Sequence, residues 1–233
     1  MNFDFSYLDI AFKNGSVITV NAKDEIAQAV GVKGNKIVFV GTNEEIDQLI
    51  DEKTQVIDLK GRTLMPGIND SHYHPILNGM IGTDLDSAMV DTGFAQAKDI
   101  PSVLAILKAV TDTKAPGKWV SSMGFEATLL KEQRYPTLEE LDAVAPNNPL
   151  QAITCNGHNA IYNSKALEYL KVYTAEDAKK YPEGEVVVAD GKLTGEVRGH
   201  THFWLWGQVE YTEPQQRKAA MKSQKQCLEL GIT

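Results

Sequence analysis

The sequence predicts a protein of the α/β class, and three observations lead to this prediction. Up to about Lys60 the chain reads as short strands joined by tight turns. Beyond Lys60 strands and helices alternate, which favours a βα arrangement over an all-β one. Of the 233 residues, 42% are hydrophobic and 23% are charged, so the chain can bury a sizeable core. We therefore expect a small β-rich part over residues 1–60 and a larger α/β part over residues 61–233.

Local signals predict the elements of the N-terminal part. Turns are expected at Asn14-Gly15 and Gly34-Asn35, because asparagine and glycine tolerate the backbone conformations of tight turns. Thr42 followed by Glu44 is typical of an N-cap and an acidic first turn, and it predicts a helix to about Ile50. Strands are predicted between these signals, at residues 9–12, 16–20, 27–32, 37–40 and 55–59.

The larger part is predicted from capping residues and apolar runs. Thr137 with Glu140 is a capping box that opens a short helix, which Pro146 must end. An Asp190-Gly191 turn predicts a hairpin. Strands are predicted within residues 61–67 and at 118–123, 150–155, 186–188 and 193–197. Other helices are predicted over 101–110 with Asp99 or Ser102 at its start, over 164–170 with Ser164 as its cap, and from Thr212 to Gly231.

The last residues, Ile232 and Thr233, read as the start of another strand after a helix and a glycine. We therefore expect the chain to stop before the rest of its structural unit.

Charge and composition exclude several functions. A formal net charge of -8 gives no electrostatic reason to approach nucleic acid or an anionic membrane, so a small molecule is the expected partner. Met1 to Asp4 do not resemble a signal peptide, and no apolar stretch is long enough to span a bilayer, so we expect a cytoplasmic protein. Cys155 and Cys227 lie outside any CxxC pattern, which argues against a disulfide framework or a thiolate zinc site.

His72 and His74 form the strongest candidate site. In an extended segment, residues two apart point to the same side, so both imidazoles can reach one metal ion while Tyr73 faces away. An isolated HxH also fits two surface histidines, but this one follows an apolar strand and a Pro-Gly turn, where a barrel strand presents functional side chains. A divalent metal is therefore expected. Zinc is our choice, with iron, nickel and manganese as alternatives, and two histidines make an incomplete site.

Residues 61–75 resemble the signature of the amidohydrolase superfamily, in which an apolar strand, Pro-Gly, an aspartate and HxH form the first barrel strand. Residues 10–15 through 36–41 resemble the β-sandwich domain of that superfamily. Within it, residues 136–146, 156–160 and 163–167 resemble amidohydrolase family 3, which includes the N-substituted formamide deformylases.

The resemblance implies a β-sandwich portion over residues 1–60. It implies the first part of a metal-dependent hydrolase (β/α) barrel over 61–233, with an inserted α+β region at about 95–210. Family members are longer, and their later strands supply further histidines and an aspartate to the metal centre. Those positions have no counterpart here.

Other residues have two readings each. Asp70 can orient an imidazole or lie near the metal, or it can stabilise the turn. His158 resembles the Gly-His segment near the family's substrate pocket, or it is a packed or surface histidine. Glu196 is read as a surface strand glutamate, with a carboxylate ligand as the alternative. His200 and His202 are read as part of a lid or interface loop. The acidic stretch after the HxH is read as a solvated loop rather than a calcium site, and it contains Asp84, Asp86 and Asp91.

For the full-length parent, the resemblance implies metal-dependent hydrolysis of C–N bonds other than peptide bonds, in N-formyl, amide or cyclic amide substrates. The activity of this chain alone stays open. The alternative is a catalytically incomplete fragment or a non-enzymatic binding module that retains the family fold. A third reading is a metal site completed by a second chain. Because a half-barrel exposes strand edges, we expect a homo-oligomer or a missing C-terminal segment.

Overall fold

The computed structural model describes residues 7–233, which divide into two compact units. The first unit contains the described residues up to Ser71 together with Leu228–Thr233, and the second contains His72–Cys227. The expectation about the first four residues lies outside the described part of the chain. The sequence-based domain boundary near Lys60 stays a prediction.

The first unit is built mainly from short strands. Its described elements are β1 (Ile10–Lys13), β2 (Ser16–Ile18), β3 (Ile26–Ala27), β4 (Ala29–Lys33), β5 (Lys36–Gly41), α1 (Asn43–Asp47), β6 (Gln55–Asp58) and β7 (Thr63–Leu64). They form a four-stranded sheet in the order β5-β4-β1-β6 and a three-stranded sheet in the order β3-β2-β7.

The prediction of a single strand over residues 27–32 is wrong. β3 pairs with β2 in one sheet and β4 pairs with β1 in the other, so the chain changes sheet at Gln28. The backbone N–H of Gln28 donates to the carbonyl of Gly41 at 2.9 Å.

The predicted N-cap of α1 at Thr42 is confirmed, and the structure shows a capping box there. The Thr42 hydroxyl accepts a hydrogen bond from the Glu45 N–H at 3.3 Å, and the Glu45 carboxylate accepts one from the Thr42 N–H at 3.0 Å. The bonds that the Thr42 N–H and hydroxyl donate to the Glu45 carboxylate lower the pKa of Glu45. The helix ends at Asp47, earlier than the predicted Ile50.

The last residues of the chain pair with the segment before the HxH. Ile68 and Ile232 form a parallel bridge, in which the Ile68 N–H donates to the Gly231 carbonyl at 2.8 Å. The Thr233 N–H donates back to the Ile68 carbonyl at 3.1 Å. This pairing agrees with the strand predicted to begin after Gly231.

The second unit contains a seven-stranded sheet and six α-helices within its described residues. The elements are α2 (Pro75–Met80), β8 (Ile81–Gly82), β9 (Met89–Asp91), α3 (Ile100–Thr111), β10 (Val120–Phe125), α4 (Leu138–Val144), β11 (Leu150–Thr154), β12 (Asn159–Tyr162), α5 (Ser164–Leu167), β13 (Val186–Ala189), β14 (Lys192–Arg198), α6 (Gly199–Trp206) and α7 (Glu213–Glu229). The order is β13-β14-β12-β11-β10-β9-β8. β8 to β11 run parallel to one another. β12 is antiparallel to β11, and the β12–β14 and β14–β13 pairs are also antiparallel.

Both faces of this sheet are covered. On β11, Leu150 and Ala152 pack into one hydrophobic core and Ile153 packs into a second. Every residue of β11 is buried, because both faces of the sheet are covered at this strand. The mixed α/β class is thereby confirmed, while the closed barrel and the sandwich stay predictions.

Local capping signals set most helix starts. Thr137 and Glu140 form the predicted capping box on α4. On α3, Asp99 is the N-cap of the two residues predicted near the start, and it forms a capping box with Ser102. The predicted cap of α5 is wrong by one residue. Asn163 is the N-cap, because its buried side-chain oxygen accepts the Ala166 N–H at 3.0 Å.

Helices α2 and α7 approach each other at backbone distance. A Cβ added to Gly79 would lie 1.9 Å from the carbonyl oxygen of Ala219. Gly79 is buried, and so is Ala219. Position 79 therefore excludes any side chain while α7 keeps its place.

We expect Gly79→Ala to destabilise the protein, although alanine is normally the better helix residue by about 1 kcal/mol. The added methyl group would force α2 and α7 apart, which should cost about 1–3 kcal/mol. Thermal unfolding followed by circular dichroism measures the effect. Asn78→Ala, at an exposed position of the same helix, is the control and should not lower the Tm. An equal or higher Tm for Gly79→Ala would contradict the close contact.

Candidate metal centre

His72 and His74 lie together at the start of the second unit, with their imidazole nitrogens converging. The two Nε2 atoms are 3.0 Å apart, and the ring planes meet at 66°. Both side chains are exposed, while Tyr73 between them is half-buried. The structure therefore brings together the two residues that the sequence predicts as metal ligands.

The start of α2 fixes the backbone after this pair. His74 is the N-cap of the helix, and Pro75 occupies its first position. Proline is favoured there because its φ is already helical and because the first turn does not use its missing N–H. The Asn78 N–H donates to the His74 carbonyl at 2.9 Å, so His74 is tied into the first turn.

The chemistry of the pair fits a divalent metal. Two nitrogens bound to one zinc ion at about 2.0–2.1 Å in a tetrahedral arrangement lie about 3.3 Å apart. The observed separation of 3.0 Å is close to that value. Within residues 7–233 no group of three or more histidine, cysteine or acidic side chains is arranged to hold a metal ion. The described chain thus offers two candidate ligands, fewer than a metal site needs.

Asp70 and His158 are the other candidate site residues. Asp70 belongs to the first unit and is exposed. His158 lies in the loop between β11 and β12, is exposed, and packs edge-to-face on Phe203 with ring centroids 5.7 Å apart. The roles assigned to Asp70 and His158 stay predictions.

Glu196 is a buried glutamate, so the reading as a surface strand residue is wrong. Its Oε1 accepts hydrogen bonds from Asn159 Nδ2 and Arg198 Nε, each at 2.8 Å, and its Oε2 accepts one from Arg198 Nη2 at 2.9 Å. The hydrogen bonds to Glu196 raise the pKa of Arg198. Paired in this way, Glu196 joins β14 to β12.

The segment containing His200 and His202 is helix α6, so the prediction of a loop is wrong. The helix has no capping side chain at its own first residues. Instead, the Glu185 carboxylate accepts hydrogen bonds from the Thr201 hydroxyl and N–H and from the His200 N–H, and these bonds lower the pKa of Glu185. A cap that comes from another element leaves no local signal in the sequence.

His202 is fully buried on α6. Its Nδ1 lies 2.8 Å from the Tyr162 hydroxyl, and its Nε2 has no hydrogen-bond partner in the described part of the chain. Burial lowers the pKa of His202 from its ordinary 6.5 to about 4; the Gly157 backbone opposes this shift and the nearby His158 adds to it. Near neutral pH the imidazole is therefore uncharged, as a buried position requires.

The acidic stretch after the HxH is only partly a solvated loop. Asp84 and Asp86 are exposed, and Asp86 lies 3.7 Å from Lys218 Nζ. Asp91 ends strand β9, and its side chain accepts the Gly93 N–H at 2.8 Å.

Comparison with solved structures places this fold in a known class. An uncharacterised metal-dependent hydrolase from Pyrococcus horikoshii superposes with a TM-score of 0.57 at 23% sequence identity, over 96% of this chain and 41% of the other. The chain therefore shares the fold of that part of a metal-dependent hydrolase.

Sequence comparison then identifies the family. The profile described as "Amidohydrolase family" matches residues 55–233, and the chain belongs to this family. The N-substituted formamide deformylase of Arthrobacter pascens is 35% identical over 191 residues, which cover 80% of this chain and 33% of the relative. The protein LONG AFTER FAR-RED 3 of Arabidopsis thaliana is 24% identical over 97% of this chain and 37% of its own length. The chain thus spans about a third of the length of these curated relatives.

No helix in the described part of the chain has both the length and the apolar character needed to cross a membrane.

The buried His202 should make stability depend on pH. The unfolded chain takes up a proton at histidine near pH 6.5, whereas the folded chain does so only near pH 4. Stability linked to His202 is therefore complete above about pH 6.5 and is lost as the pH falls towards 4, by up to about 3 kcal/mol. Urea unfolding at several pH values measures this loss.

His202→Phe should flatten the dependence of stability on pH, because the titrating group is gone. This holds whether or not the variant is less stable at neutral pH. His200→Phe, at an exposed position of the same helix, should leave the pH dependence in place. If His202→Phe kept the same pH profile as the unchanged chain, the assignment to His202 would be wrong.

Proposed function

We propose that this chain provides part of the active site for metal-dependent hydrolysis of C–N bonds other than peptide bonds. The substrates proposed are N-formyl, amide or cyclic amide compounds of small size. The observation that carries the proposal is the pair of Nε2 atoms of His72 and His74, 3.0 Å apart, in a chain of the amidohydrolase family.

The relatives support the reaction class. The relative from Arthrobacter pascens is called an N-substituted formamide deformylase, and it is 35% identical to this chain. Release of a formyl group from a substituted nitrogen breaks a C–N bond by addition of water. We extend this class of reaction, and not a particular substrate, to the present protein.

Two neutral imidazoles suit zinc, which is the metal we propose, with iron, nickel and manganese as alternatives. A divalent ion bound at such a site lowers the pKa of water and polarises a carbonyl group. The role of this chain is to hold both imidazoles on one side of the backbone. We propose that Asp70 orients one imidazole and that His158 contacts the substrate. Further ligands and the proton shuttle would come from a longer chain or a partner copy.

The second candidate is a non-catalytic protein that keeps the family fold. It is favoured by the lack, within residues 7–233, of a group of three or more metal-binding side chains. The two candidates differ in whether the metal-loaded protein hydrolyses such substrates once the further ligands are supplied. Hydrolysis of an N-substituted formamide by the zinc-loaded chain would exclude the second candidate.

We expect the purified chain to bind zinc and the His72→Ala/His74→Ala double variant to lose it, because both imidazoles are removed. Isothermal titration with zinc and elemental analysis after gel filtration measure the effect. His200→Ala removes an exposed histidine on α6 and should bind as the unchanged chain does. Equal zinc binding by the double variant would show that the metal is held elsewhere and would contradict the proposed site.

A further inference from the structure

The residue between the two histidines makes a contact of its own. The hydroxyl of Tyr73 lies 2.6 Å from Oγ of Ser223, a fully buried residue of helix α7 that is 150 positions further along the chain. Resting on the proposed function, we infer that Tyr73 is a positioning residue for the metal site. Its hydrogen bond to Ser223 holds the His72–His74 segment and thereby sets the approach of the two imidazoles.

The two histidines lie on either side of this contact in the chain. Tyr73 reaches α7 through its hydroxyl and is half-buried, whereas His72 and His74 are exposed with their Nε2 atoms 3.0 Å apart. The segment is not a regular strand, since the chain bends at His72 before α2 begins at Pro75. Fixing Tyr73 therefore limits the movement of the backbone that carries both imidazoles.

Helix α7 is itself held in register with the segment that follows the histidines. Lys222 Nζ donates to the Ile81 carbonyl at 2.6 Å, and the Ala219 carbonyl excludes any side chain at position 79. Residues 219, 222 and 223 share one face of α7, since residues three and four apart are neighbours on a helix. Ser223 is thus presented to Tyr73 from a surface that two other contacts keep in place.

The inference depends on the hydroxyl group of Tyr73 and not only on its aromatic ring. Ser223 has no exposed surface, so removing its partner would leave a polar group in the interior. Tyr73→Phe keeps the ring and deletes the hydrogen bond, and Ser223→Ala deletes the same bond from the other side. If Tyr73 and Ser223 act only through this bond, the double variant should bind zinc no more weakly than either single variant.

Two readouts test the inference. The first is amide hydrogen exchange of residues 73–78 in the metal-free chain, where the Asn78 N–H bonds to the His74 carbonyl. The second is the zinc dissociation constant by titration. In Tyr73→Phe we expect about fivefold faster exchange in this segment and about fivefold weaker zinc binding, the size expected for one net hydrogen bond.

Tyr181→Phe is the matched control. The Tyr181 hydroxyl donates to the Leu170 carbonyl at 2.7 Å, so this variant also deletes a tyrosine hydrogen bond from the second unit. It should change neither exchange at residues 73–78 nor the zinc affinity, even if it lowers the Tm. This control therefore distinguishes a general loss of stability from a change at the candidate metal site.

The outcomes distinguish the inference from the function on which it rests. Zinc affinity that Tyr73→Phe leaves unchanged, in a chain that loses zinc on His72→Ala/His74→Ala, overturns the inference alone. A chain that binds no zinc in any form overturns the proposed function and with it the role of Tyr73 toward the metal. Faster exchange and weaker zinc binding in Tyr73→Phe and Ser223→Ala, without further loss in the double variant, support both.

Discussion

The carbonyl oxygen of Ala219 lies where a side chain at position 79 would begin, so helices α2 and α7 touch through their backbones. Interiors are packed as densely as crystals and transmit small displacements, so this contact leaves α2 little freedom to shift. The histidine pair directly precedes α2, and His74 is its N-cap. The geometry of the candidate metal centre therefore depends on a glycine that takes no part in its chemistry.

A covered sheet supports this arrangement within the second unit. Strand β11 is buried on both faces, and some polar side chains inside the unit bond to one another, as Asn159 does to Glu196. Asn163 bonds to backbone groups instead: its amide oxygen accepts the N–H groups of Leu150 and Ala166 while its amide nitrogen donates to the Ala145 and Asn148 carbonyls. Such a residue fixes several chain segments together. A site that needs two imidazoles within about 3 Å of each other benefits from a rigid support of this kind.

The parts of the structure that could be predicted are those with local signals. Capping boxes at Thr42, Asp99 and Thr137 and the Asp190-Gly191 turn all lie where the sequence indicates, because each depends on residues a few positions apart. The convergence of the two histidines is predicted from the period of two in an extended chain.

The elements that the sequence did not reveal depend on distant residues. Helix α6 takes its cap from Glu185, which belongs to the segment before β13. The split of residues 26–33 between two sheets depends on which strands they meet. The bond from Tyr73 to Ser223 joins positions 150 residues apart. No window of sequence contains both partners, so only the fold can show such a contact.

We propose that His72 and His74 hold one divalent ion between them. X-ray absorption at the zinc edge, on the chain loaded with one equivalent of zinc, tests this claim most directly. The account predicts the outer-shell scattering of imidazole with nitrogen at about 2.0–2.1 Å, fitted by two histidines and absent from the variant lacking both. A spectrum that fits oxygen ligands alone, or that is unchanged in that variant, would contradict it.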